Sequence, residues 1–283
     1  MQCTLCPLAC GADRSQQAGA CGVKGLTVAK YYLHPFEEPP VSFRNGSGTV
    51  FFGGCSLRCV FCQNYEVSRA RRGKSVTPKE LADIFLELEE MGADNLNLVT
   101  PDHVSPLICE ALALRKPRIP VVYNSGGYCR VRALEEIAPY VDIWLPDCKF
   151  VSPELSARYT GRRDYFEYAA PAITFMAKKP LVWSGEGKLL SGVIVRHLIL
   201  PGCTSDSLRV LGFLKETLPE DVPVSLMRQY TPTGGIAGFP ELNRTLTARE
   251  YRRVLGYAEQ LGFPLFTQEK ASADTKFIPD WDY

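Results

Sequence analysis

Short apolar, β-branched runs alternate with stretches of helical periodicity along most of the chain. Six such runs stand at residues 49–53, 95–100, 121–125, 141–147, 193–200 and 224–229, each just before a loop or turn signal. Strands alternating with helices predict βα units and a parallel sheet. The string PLFTQ, 264–268, reads as one further strand. Two helices carry their own start signals. Thr77 is an N-cap, Pro78 suits the first helical position, Glu80 completes a capping box, and Leu81, Ile84, Phe85 and Leu88 share one face. Thr247 and Glu250 repeat the box ahead of the stripe Tyr251, Val254, Leu255, Ala258 and Leu261.

Residues 1–45 follow neither period. They are rich in cysteine and then turn-like through HPFEEPP, where Pro35, Pro39 and Pro40 exclude regular structure. The expected organisation is a cysteine-rich N-terminal extension, residues 1–45, before an α/β core, residues 46–283. After residue 229 the string YTPTGGIAGFPELN reads as a long Gly/Pro-bearing loop.

Composition narrows the function classes. The 283 residues, 46% hydrophobic, suffice for one large domain with a buried core. With 32 basic and 31 acidic residues, no bulk charge favours a nucleic-acid or membrane surface as partner. The run RARRGK, 69–74, reads as a solvated loop, because no aromatic residue interleaves with its charges to stack on bases. Eleven cysteines would suggest disulfides in a secreted chain. The first twenty residues lack a basic n-region and an unbroken apolar segment, and nothing downstream approaches a membrane span. The expectation is a reducing cytoplasm and metal-binding thiolates.

The string GGCSLRCVFCQN sets Cys55, Cys59 and Cys62 at C-x3-C-x2-C spacing directly after the first strand. A structural zinc site wants four protein ligands, whereas three thiolates on a 4Fe-4S cluster leave one iron open. A zinc loop borrowing a distant fourth ligand is the alternative. The spacing, with the aromatic Phe61 just before the third cysteine, resembles the signature of the radical S-adenosylmethionine (radical SAM) superfamily. The strings CTLCPLACGADR, HPFEEPPVS, NLVTPDHV, VVYNSGGY, LPDCKF, VRHLILPG, LMRQYTP and LNRTLTAREY resemble the pyruvate formate-lyase activating enzyme group over nearly the whole length.

That resemblance implies a partial or near-complete (β/α) TIM-like barrel, with SAM laid across the C-terminal ends of the strands. It implies an oxygen-sensitive enzyme in which the open iron chelates the methionyl group and the reduced cluster cleaves SAM to a 5′-deoxyadenosyl radical. The radical would take a hydrogen atom from a glycine of a partner protein, with a flavodoxin- or ferredoxin-type reductant. An RNA or small-molecule substrate, or a non-catalytic electron-transfer protein, are the competing readings. Asn64 resembles a cofactor-contacting position, and Asp147 with Lys149 resembles the family's ribose-side segment. Asn124 and Ser125 end the third strand, while Lys149 or Arg196 offers a cation to the methionyl carboxylate. The family's Gly-Gly-Glu segment is replaced by VTPDHV, where Thr100, Asp102 and His103 are the polar groups available. His103 also reads as a helix-start residue without a ligand role.

Cys3, Cys6, Cys10 and Cys21 make a C-x2-C-x3-C-x10-C set, enough for a closed four-thiolate site; zinc or a second iron–sulfur cluster both fit. Cys129, Cys148 and Cys203 follow the third, fourth and fifth strands without regular spacing and read as small buried residues, as does Cys109 within a helical pattern.

Overall fold

The computed structural model describes residues 2–70, 72–232, 234–273 and 281. Its strands are β1 (Thr27–His34), β2 (Ser47–Phe52), β3 (Lys74–Ser75), β4 (Leu96–Val99), β5 (Val121–Ser125), β6 (Ile143–Pro146), β7 (Val182–Trp183), β8 (Leu189–Val193), β9 (Val195–Leu198), β10 (Val224–Met227) and β11 (Leu265–Thr267). The helices are α1 (Tyr65–Ala70), α2 (Pro78–Glu90), α3 (Ser105–Leu114), α4 (Val131–Ile137), α5 (Pro153–Thr160), α6 (Tyr165–Met176), α7 (Thr204–Thr217) and α8 (Ala248–Leu261).

The parallel run is β2, β4, β5 and β6, then β8 and β9, which are one line of chain broken at Ile194, then β10 and β11. A bridge between Asp147 and Arg196 carries the sheet across that break. All six expected strands are present, and PLFTQ supplies β11. Among the described residues no ladder joins β11 back to β1 or β2, so the architecture is a partial (β/α) barrel.

Residues 27–34 depart from expectation. In place of irregular chain they form β1, antiparallel to β2 from Val28 opposite Phe52 to His34 opposite Ser47. The division expected at residue 45 thus runs between two paired strands. TVAKYYLH is suited to a strand, but β1 is an outlying antiparallel partner of the parallel run and carries no βα signal.

Both expected capping boxes form. Thr77 Oγ1 accepts from the Glu80 amide at 3.2 Å while Glu80 accepts from the Thr77 amide at 2.7 Å. Thr247 and Glu250 repeat the pattern at 3.2 and 2.9 Å. Period-two alternation then decides what each strand end presents. On β5, Val121 and Tyr123 pack outward against the helix layer, while Val122 joins Ile143, Leu145, Ile194 and Val41 in the barrel interior. Asn124 therefore points inward and Ser125 outward. By the same count Asp147, Lys149 and Arg196 point inward, and His197 faces α7, where its Nε2 meets Ser207 Oγ at 2.9 Å.

Candidate active site

The loop after β2 is fixed at several points by main-chain bonds. The Gly53 amide donates to Thr27 O at 2.8 Å, Cys55 N to Cys21 O at 3.1 Å and Val60 N to Tyr159 O at 2.9 Å. Gly54 has φ +81°, and a Cβ there would lie 2.6 Å from the Cys21 carbonyl oxygen, so the position needs glycine. His103 Nε2 meets Gly53 O at 2.9 Å. The imidazole therefore props the loop and does not line the cavity below it; burial drops its pKa to about 4, leaving it neutral. Phe61 packs edge-on against Phe150 and Tyr159, giving the cysteines an apolar wall.

Cys55, Cys59 and Cys62 and all eight residues expected to contact the cofactor line one cavity of about 670 Å³ at the strand ends. A second hollow, of about 880 Å³, lies outside the barrel between β1 and α2, and no cysteine lines it. Burial pushes the Cys55 thiol up to about 11 and raises Cys59 and Cys62 too, with Lys149 pulling the latter two the other way. Three thiols raised by desolvation are a donor set that suits a positively charged metal group, whose charge would stabilise the thiolates.

Opposite the thiols stands a buried charge network. Lys149 Nζ donates to Asp147 Oδ2 at 2.5 Å, and Arg196 Nε donates to Asp147 Oδ1 at 2.9 Å. Burial alone would raise Asp147, but the Arg196 guanidinium and Lys149 ammonium outweigh it and hold the carboxyl below its ordinary range. Burial likewise works against the Lys149 ammonium, yet the Asp147 carboxylate lifts it to about 12. Arg196 spends its other nitrogens on Glu37 Oε2 at 3.2 Å and Asn124 Oδ1 at 2.6 Å. Lys149 keeps donor capacity to spare, whereas the Arg196 fork is engaged on three sides.

The outward-facing strand ends build a second layer. Ser125 Oγ, Tyr123 OH and Cys129 Sγ all donate to Asp102 Oδ1, at 2.7, 3.1 and 2.8 Å. The Ser125 hydroxyl is thereby committed to Asp102. Burial raises the Asp102 carboxyl, and the three donors only partly offset it. Thr100 lies above this group at φ +60°, a left-handed conformation that costs a non-glycine residue on the order of 1 kcal/mol or more. The Asn64 amide donates to the Cys62 sulfur.

Two contributions were not readable along the chain. Glu37 and Glu38, from the proline-bounded HPFEEPP, reach into the cavity. Glu37 Oε1 accepts from Asn97 Nδ2 at 2.8 Å and Asn124 Nδ2 at 3.1 Å, while burial pushes Glu38 to about 7 against the pull of Arg196. Gln63, Gln229 and Gln268 form a chain in which Gln229 Nε2 donates to Gln63 Oε1 at 3.0 Å and Gln268 Nε2 to Gln229 Oε1 at 2.6 Å. It ties the cysteine loop to the ends of β10 and β11. Adjacent Glu residues between prolines look like a turn, and isolated glutamines carry no pattern. Arg69 likewise leaves the expected solvated loop, donating to the Arg58 carbonyl within the cysteine loop.

Cys3, Cys6, Cys10 and Cys21 gather beside this loop. The Ala20 amide donates to Cys10 Sγ at 3.5 Å, and a Cβ on Gly19 would lie 3.3 Å from Cys21 Sγ and 3.5 Å from Cys10 Sγ. Among the described residues no group of three or more His, Cys, Asp or Glu side chains stands ready to hold a metal ion as it lies, the Cys55, Cys59 and Cys62 set included. Cys129, Cys148 and Cys203 are buried and do not line the cavity. Cys109 is a correction: its thiol sits on the half-exposed side of α3, 3.9 Å from Glu136 O, instead of in the core.

The family model described as the radical SAM superfamily matches residues 49–182, which run from within β2 through the cysteine loop to the start of β7. The chain belongs to the radical SAM superfamily. An uncharacterized protein of Methanocaldococcus jannaschii is 30% identical to this radical SAM chain over 276 residues, 93% of the chain and 76% of that protein. The pyruvate formate-lyase-activating enzyme of Clostridium pasteurianum is 24% identical over 233 residues, 77% of the chain and 89% of that enzyme. In fold the radical SAM chain is similar to Streptococcus suis SuiB, solved bound to the precursor peptide SuiA, with TM-score 0.52 and 12% identity. That match covers 76% of the chain but only 46% of SuiB, so the chain spans less than half its length. Membership implies a 4Fe-4S cluster and SAM. Among the described residues no helix is long and apolar enough to cross a membrane.

Proposed function

We propose that this radical SAM chain reductively cleaves SAM and uses the resulting radical to take a hydrogen atom from a protein or peptide, in the manner of glycyl-radical enzyme activases. The observation that carries the first part is the meeting, in one cavity, of three loop thiols with the Lys149, Asp147 and Arg196 network. Cys55, Cys59 and Cys62 are the residues that would hold the cluster. Bound there and reduced, the cluster would supply the one electron needed to cleave the sulfonium of SAM reductively.

The chain's own groups do the binding. Lys149, with donors to spare, is the cation for the methionyl carboxylate, and Arg196 acts mainly by holding Asp147 and Asn124 in place. Asp147 and Asn124 offer acceptors and donors to ribose hydroxyls. Phe61 walls off water, Asn64 supports the Cys62 sulfur through its amide, and Thr100 lines the cavity with its own amide committed to Asn124 O at 2.9 Å. Ser125 supports the site through Asp102.

The choice of a protein or peptide substrate is supported by the likeness to an enzyme named for activating pyruvate formate-lyase, and by a shared fold with SuiB, which was solved with a peptide bound. A flavodoxin- or ferredoxin-type reductant and a cytoplasmic, anaerobic setting belong to the same proposal. The test is anaerobic reconstitution and reduction, followed by assay of 5′-deoxyadenosine from SAM. Absence of product from fully loaded protein would reject the enzyme reading. Candidate glycyl-radical proteins are then incubated with it and examined by electron paramagnetic resonance; a blank across them, with 5′-deoxyadenosine still formed, would reject the activase reading alone.

A further inference from the structure

The segment before β1 holds its shape without the usual means. Residues 2–26 contain no helix or strand, only the isolated bridge between Gln2 and Asp13, yet Cys6, Ala12, Cys21, Val23 and Leu26 are buried. Val23 and Leu26 join the main core and Leu8 packs against the cluster around Phe61, but between them the cysteine-bearing stretch has few apolar side chains of its own, and a structural metal is the ordinary supplement to so little burial. Its four cysteines have come together. Cys6 lies within electrostatic reach of Cys3, Cys10 and Cys21, and Cys10 is hydrogen-bonded to the Cys3 side chain. Main-chain amides already point at two of the sulfurs: Leu8 at Cys6, and Ala12 and Ala20 at Cys10. Such amide donors compensate the charge of a thiolate.

We infer that Cys3, Cys6, Cys10 and Cys21 form a closed four-thiolate zinc site that braces the cysteine loop of the radical centre. Four thiolates leave no open position, which is the mark of a structural site. The main chain at Gly19 lies directly against two of the sulfurs, a Cβ there falling 3.3 Å from Cys21 Sγ and 3.5 Å from Cys10 Sγ, so the set is compact on that side. The four side chains draw inward as the ion replaces their protons.

The bracing runs through the main chain. The Cys21 carbonyl accepts from the Cys55 amide at 3.1 Å, and Gly54 passes against the same oxygen. From the other side Arg130 Nε donates to the Cys6 carbonyl at 3.1 Å and Arg14 Nη1 to the His103 carbonyl at 2.5 Å, pinning the segment to the barrel beside the histidine that props Gly53. One zinc ligand is thus a direct hydrogen-bond neighbour of one cluster ligand.

The test uses the full chain with Cys55, Cys59 and Cys62 all changed to Ala, so that any metal retained belongs to the N-terminal set. The expected content is about one zinc per chain, with negligible iron and sulfide, falling to near zero when Cys10→Ser is added. Cobalt loading of the triple variant should give the intense visible absorption of a tetrahedral four-sulfur site, shifted by Cys10→Ser. If the Ser variant fails to fold, zinc released by mercurial titration of the triple variant gives the same count. Retained iron and sulfide, zinc unaffected by Cys10→Ser, or no bound metal would each overturn the inference. Bracing is read in the chain with its three loop cysteines intact. Cys10→Ser should raise amide hydrogen exchange at Cys55, whose N–H donates to Cys21 O, at least tenfold, and unchanged exchange there would reject it.

Discussion

Asp147 carries a cation on each carboxylate oxygen, Lys149 at 2.5 Å and Arg196 at 2.9 Å, with all three side chains largely out of water. Removing the acid leaves two like charges facing each other in a buried place. Asp147→Ala should therefore destabilise the chain by about 3–5 kcal/mol, as expected when one partner of a buried pair is lost. Urea unfolding under anaerobic conditions checks this, and a loss below about 1 kcal/mol, the range of exposed pairs, would show that water reaches the network freely.

Lys149→Met removes a charge while keeping the aliphatic stem. SAM affinity should fall roughly ten- to hundredfold, the worth of one charge-assisted hydrogen bond, with iron content unchanged. Equilibrium binding to reconstituted protein is the measurement. Unaltered affinity would move the carboxylate contact to another group.

Glu38 gives a pH dependence of definite sign. Its folded pKa of about 7 lies above the ordinary 4.5 because burial disfavours the charge. Below pH 4.5 both folded and unfolded chains hold the proton. Between 4.5 and 7 the unfolded chain gives it up first, so stability falls as pH rises, and the penalty is complete above 7. Glu38→Gln should thus be more stable than the parent at pH 8, by up to about 3 kcal/mol, with the difference gone at pH 4. Denaturant curves at the two pH values decide it; a variant equally less stable at both would mean that Glu38 makes a contact the amide cannot.

Gly54→Ala should be disproportionately harmful for one methyl group. The left-handed φ and the 2.6 Å approach to the Cys21 oxygen put its cost at about 1–3 kcal/mol. Because the crowding falls between the two cysteine sets, iron loading should drop as well as melting temperature. Wild-type iron content in the variant would show that the loop shifts without disturbing its thiols.

Much of this was written along the chain. Runs that end in polar residues became strand ends around one cavity, and the boxes at Thr77 and Thr247 cap their helices as their spacing requires. The cysteine loop needed only its spacing and its place after β2. What escaped was set by pairing between distant segments. β1 is outside the βα rhythm, and Glu37 reaches the cavity because that strand and its following turn lie against β2 and β4. Ser125 shows the limit of reading a strand end as one unit: adjacent to Asn124, it faces the opposite side of the sheet. His103, one candidate among three, turned out to hold the loop from behind.

The glutamine chain closes the mouth with groups that bear no charge. Gln63, Gln229 and Gln268 connect the cysteine loop to β10 and β11 where, among the described residues, no backbone ladder does so. Ionic strength screens charged contacts but leaves amide-to-amide bonds almost untouched. Only the Gln63–Gln229 bonds cross from the loop to β10, and the same side is also held by Trp281, which packs edge-on against Phe51 and accepts from Arg72. The polar part of the closure is therefore a part that salt cannot tune.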